Sequence, residues 1–79
     1  MKKNLYFSFS FRFAGFGQYV VTYTTPTRGD YWRARITDMS LIDETKNAEE
    51  PTGAALRRLR DAVKLNGTHY RRNGELIDD

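Results

Sequence analysis

Between Leu5 and Phe13 every second residue is large and apolar: Leu5, Phe7, Phe9, Phe11 and Phe13 alternate with Tyr6, Ser8, Ser10 and Arg12. Side chains alternate across a β-strand, so this period assigns the five apolar residues to one face and the polar set to the other. Fully burying one such side chain contributes roughly 1.5–3 kcal/mol before entropy is subtracted. The row is therefore expected to be buried and to dominate the stability of the domain. A one-residue slip would turn the whole row to water, which ties the strand to one register.

Ala14-Gly15-Phe16-Gly17 supplies the glycines of a tight reversal, and Gln18 to Thr25 reads as a second strand paired with the first in a hairpin. Both of its faces qualify for burial, Tyr19, Val21 and Tyr23 on one and Val20, Thr22 and Thr24 on the other, so its inner side stays open. Pro26 to Asp30 forms the next turn and Tyr31 to Thr37 a third strand. That strand directs Trp32, Ala34 and Ile36 inward and Tyr31, Arg33, Arg35 and Thr37 outward.

The acidic connector from Asp38 to Glu50 holds one apolar pair, Leu41-Ile42, which fits a short strand, a helical turn or a plug over the core edge. Pro51 marks a helix entry with Thr52 as a cap, and Thr52 to Leu65 is amphipathic. Ala55, Leu56, Leu59, Ala62 and Val63 share its apolar arc, and Asn66-Gly67 stops it. The tail reads as a short hairpin around Asn73-Gly74, and Leu76-Ile77 is a candidate to pair with Leu41-Ile42 if both are strands. The chain is thus expected to be one small α+β domain over residues 1–79, frayed at 1–3 and 78–79. An antiparallel sheet of three to four strands, in the order β-β-β-α, carries one amphipathic helix on one face. A nine-residue strand spans about 30 Å, a fourteen-residue helix about 21 Å. One helix cannot cover the whole aromatic row.

Seventy-nine residues suit one core. The absence of cysteine excludes disulfides, a thiol nucleophile and thiolate metal sites, and a reducing cytoplasm is the favoured compartment. Met1-Lys2-Lys3 resembles the start of a secretory leader, but Ser8, Ser10 and Arg12 interrupt any apolar run, and no stretch is long enough to span a membrane. The chain has one histidine and no recognisable nucleophile setting, so the expectation is a non-enzyme with no catalytic residues, no metal and no cofactor. Asp38, Asp43 and Glu44 read as a solvated acidic loop rather than a cation site, and His69 as a strand residue rather than a base. Arg28-Gly29-Asp30 matches the tripeptide that integrins recognise, and Asn66-Gly67-Thr68 a glycosylation acceptor. The first reads as turn chemistry and the second as a helix stop.

The net charge of +3 is segmented. Residues 1–37 carry +5, 38–51 carry −4, 52–72 carry +5 and 73–79 carry −3, and arginines outnumber lysines nine to four. With the helix on one sheet face, the other face carries Tyr6, Arg12, Tyr31, Arg33 and Arg35. Guanidinium groups neutralise phosphate or read guanine edges, and tyrosines stack on bases. Arg57, Arg60 and Lys64 along the helix flank, and Arg71-Arg72 in the tail, are further candidate contacts to a nucleic-acid backbone.

The order strand, strand, strand, helix, with Trp32-Arg33-Ala34-Arg35-Ile36 on the third strand, is similar over residues 4–65 to the arm-binding domain of tyrosine integrases and to AP2-type plant transcription factors. The resemblance is one of topology, and implies DNA reading by the sheet. The acidic connector and the tail depart from it. Two expectations follow: a small binding module for DNA or RNA, or a protein-interaction module, including a homodimer, that uses uncovered aromatic surface or a sheet edge.

Overall fold

The computed structural model describes residues 8–77. Leu5, Tyr6 and Phe7, and the ends expected to fray at 1–3 and 78–79, lie outside the described residues. Within them the order is β1 (Phe9–Phe13), β2 (Tyr19–Thr24), β3 (Tyr31–Ile36), α1 (Met39–Glu44), α2 (Gly53–Asn66) and β4 (Thr68–Tyr70). The strands form one antiparallel sheet in the spatial order β1-β2-β3-β4, so the α+β class and the strand-then-helix order hold. No helix among the described residues is long and apolar enough to cross a membrane.

Register fixes the faces, because residues directly opposite each other on antiparallel strands point the same way. Phe9, Tyr23, Trp32 and His69 make one inner row, and Phe11, Val21 and Ala34 a second. Phe13, Tyr19 and Ile36 make a third. The face left open for β2 is thereby assigned: Tyr19, Val21 and Tyr23 point inward.

Helix α2 lies over β3 and β2 and seats Leu59 and Val63 on Val21, Tyr23, Ala34 and Ile36. Its buried residues Ala55, Leu56, Leu59 and Val63 belong to the arc that the 3.6-residue period marks. Thr52 caps it by accepting a hydrogen bond from the Ala55 amide at 3.0 Å. Of the three alternatives for the apolar pair of the acidic connector, the helical turn is the one that forms. It lies in α1, where Ile42 is fully buried in the same cluster. Asp38 caps α1, accepting from the Ser40 amide at 3.0 Å and the Ser40 hydroxyl at 2.7 Å. Both bonds hold its carboxyl below its ordinary pKa, the hydroxyl contributing most. Because α1 is helical, Leu41-Ile42 does not pair with Leu76-Ile77. Leu76 instead bridges to Tyr70, and the Ile77 amide donates to the His69 carbonyl at 2.9 Å, which completes the hairpin around Asn73-Gly74.

The first strand departs from expectation. It is at the edge of the sheet among the described residues, with Phe9 and Phe11 half-buried and Phe13 64% exposed. The core is centred on β2, β3 and α2, and the helix leaves Phe13 of the aromatic row uncovered, in line with the length mismatch between strand and helix. Alternation shows that side chains share a face, but not that anything covers it.

Candidate nucleic-acid interface

The sheet face opposite α2 is built from three rows. Ser10, Thr22, Arg33 and Thr68 cross all four strands; Arg12, Val20 and Arg35 lie on one side of that row, and Thr24, Tyr31 and Tyr70 on the other. Among the described residues the face contains three arginines and two tyrosines, and no carboxylate. Two of its arginines are held by neutral partners: Arg33 Nε donates to Thr22 Oγ1 at 3.1 Å, and Arg35 donates to Gln18 Oε1 at 2.7 Å. Arg33 also lies over the Tyr31 and Tyr70 rings, 5.3 and 5.8 Å from their centroids, and the two rings stack on each other at 5.1 Å. Ser10, Arg12, Val20, Thr22 and Arg33 line a hollow in this face.

Among the described residues, Arg12, Arg33 and Arg35 form no ion pair, whereas several other guanidinium groups do. Arg28 pairs with Asp30 at 3.4 Å, Arg60 with Asp61 at 3.1 Å and Arg71 with Glu75 at 3.6 Å, and Arg58 pairs with Glu44 across α1 and α2. Within the described residues the positive charge of the outer face is therefore locally uncompensated.

The remaining candidates are elsewhere. Arg57, Arg60 and Lys64 belong to α2, on the opposite side of the sheet. Arg57 folds back towards Gly53, and Lys64 Nζ sits 4.6 Å from the Trp32 ring centroid and 5.9 Å from that of Tyr23. Arg72 lies against Gly29 in the β2–β3 turn. Arg12, Tyr31, Arg33 and Arg35 are thus brought together, while the helix stripe is separated from them by the sheet. Tyr6 lies outside the described residues. Sequence reasoning missed Tyr70, because its face follows from the pairing of Trp32 with His69 and of Tyr31 with Tyr70. The only signal for it was the alternation Thr68-His69-Tyr70.

A polar cluster pins the turn beside this face. Asp30 accepts from the Thr25 hydroxyl at 2.6 Å and lies 2.7 Å from His69 Nε2, and the Gly29 amide donates to Thr25 Oγ1 at 3.1 Å. The His69 ring stacks on Trp32 with 3.7 Å between centroids and 2° between planes. The carboxylate of the integrin-like tripeptide is thus engaged within the fold, its side chain only 14% exposed. Three acidic residues of the connector also have structural partners: Asp38 caps α1, Asp43 accepts from Asn47 at 3.0 Å and Glu44 pairs with Arg58.

The Thr25 hydroxyl, opposed by burial and helped by His69 and Arg28, holds the Asp30 carboxyl well below the usual carboxylate range. A depressed folded-state pKa stabilises the fold above the unfolded-state value, and that stability is lost as pH falls below about 4. Urea titrations from pH 6 to 2.5 are expected to show declining stability over that range, with a smaller decline in Asp30→Asn. One proton permits a slope of at most about 1.4 kcal/mol per pH unit. Equal acid slopes in the two proteins would remove Asp30 as the source.

No family model, curated protein or solved structure matches the chain.

Proposed function

We propose that this chain is a small nucleic-acid-binding module that engages its ligand through the sheet face opposite α2. The observation that carries this reading is the composition of that face: Arg12, Arg33 and Arg35, without a carboxylate partner among the described residues, beside the stacked pair Tyr31 and Tyr70. Guanidinium groups gain most from phosphate when no internal anion already neutralises them, and their planar donor fork suits two phosphate oxygens. The neutral partners Thr22 and Gln18 hold Arg33 and Arg35 in place without cancelling their charge. The sheet supplies a rigid base for the group, and α2 and α1 stabilise it from behind.

Replacing Arg33 and Arg35 together by Ala is expected to leave the fold intact, since both side chains are exposed. Binding should weaken, and the slope of log K against log salt should fall by roughly two, one counterion for each lost phosphate contact. Fluorescence anisotropy with labelled mixed-sequence duplex DNA and single-stranded RNA, from low to near-physiological salt, reads both quantities. Unchanged affinity and slope in a folded double variant would overturn the reading.

A further inference from the structure

Resting on the reading above, we infer that the ligand is single-stranded, with one phosphate in the hollow between Arg12 and Arg33 and a neighbouring base on the Tyr31–Tyr70 pair. The hollow has the chemistry of an oxyanion site: two guanidinium side chains, from β1 and β3, flank the hydroxyls of Ser10 and Thr22, and Val20 contributes to its lining. Arg33 links the two subsites, since its Nε bonds to Thr22 at the hollow while its guanidinium lies over both tyrosine rings. By strand geometry the hollow and the ring pair are about 10 Å apart, one row along and between one and two strands across. A dinucleotide of an extended strand covers such a distance.

Two features favour a single strand over a duplex. Four strands span about 14 Å between the outermost strand axes, already wider than the roughly 12 Å major groove. With the strands arrayed across the groove, Arg12 on β1 and Tyr70 on β4 therefore cannot enter it together. In addition, tyrosine ring faces stack on bases only when those bases are free of their own stack, as in single strands. Helix α2, which a groove would admit, lies on the far side of the sheet.

The test compares oligothymidine, the same strand carrying abasic sites, and a matched duplex, each titrated into the full chain at low salt. The expected result is affinity for oligothymidine at least about tenfold above that for the duplex, and a loss of roughly tenfold on removing the bases. Tyr70→Leu should weaken oligothymidine binding but leave the abasic strand unaffected, whereas Arg12→Gln should weaken both. Amide NMR shifts at Ser10, Thr22, Tyr31 and Tyr70 serve as the check that each variant binds at this face. A duplex bound as tightly as oligothymidine, or an abasic strand bound as tightly as its parent, would overturn the single-strand assignment and leave the interface standing. Binding of none of the three would overturn both.

Discussion

Leu59→Ala is expected to cost about 2–5 kcal/mol, a large share of the roughly 4–12 kcal/mol that a domain of this length holds in total. Leu59 is fully buried, and it stands where α2 meets both the sheet and Ile42 of α1. Truncating it removes the transfer free energy of the side chain and leaves a cavity that the sheet below cannot collapse to fill. At about 4–8 °C per kcal/mol the melting temperature should fall by about 8–40 °C, or the protein should fail to fold. Leu65, one and a half turns along the same helix, is 84% exposed, and its replacement by Ala should change stability by less than about 0.5 kcal/mol. Thermal melts of the two variants decide the matter. Comparable losses would mean that α2 does not pack on the sheet through Leu59.

Gly67→Ala is expected to cost about 1–3 kcal/mol for a different reason. The backbone there is extended, with φ −105°, so conformational freedom is not what requires glycine. Space is. A Cβ on Gly67 would lie 2.5 Å from the Val63 carbonyl oxygen and 2.6 Å from that of Arg33, both rigid backbone atoms. The end of α2 is pressed against β3 at this point, directly behind the residue that links the two proposed subsites. Gly17, in the β1–β2 turn, provides the contrast: its φ is +73° and nothing lies within 4 Å of a built Cβ. Substituting Asn, which tolerates the left-handed region, should restore most of the stability lost in Gly17→Ala and none of that lost in Gly67→Ala. Urea denaturation of the four variants measures this. Recovery with Asn at position 67 would show that the close approach is not the constraint.

The parts of the fold legible in the sequence were those whose burial follows from one local period. The inward set Trp32, Ala34 and Ile36 on β3, and the arc Ala55 to Val63 on α2, needed only their own spacing. Thr52 and Asn66-Gly67 marked the ends of α2, although the reason for glycine at 67 depends on the carbonyl of Arg33, more than thirty residues away, and has no local signature. The aromatic row of β1 had the strongest alternation in the chain, yet Phe13 remains exposed because α2 lies over β2 and β3. Burial depends on what covers a face, and that is not local. The single apolar pair of the acidic connector was too short to show a period, so α1 became visible only through the burial of Ile42.

The candidate site was legible to the same extent. Arg12, Tyr31, Arg33 and Arg35 followed from alternation on two strands. Tyr70 required the register of a three-residue strand, and the separation of Arg57, Arg60 and Lys64 from that face required knowing which side of the sheet α2 covers.

Amide NMR with single-stranded and duplex nucleic acid, at low and near-physiological salt, shows whether the arginine–tyrosine face is the binding surface. The expected shifts are confined to the outer-face residues of β1, β2, β3 and β4 and weaken steeply as salt rises. Shifts centred on the α2 arginines, or none at low salt, would overturn this assignment. The second of these outcomes would leave the exposed Phe13 and Phe16 of the β1–β2 tip, and with them a protein partner, as the surface to pursue.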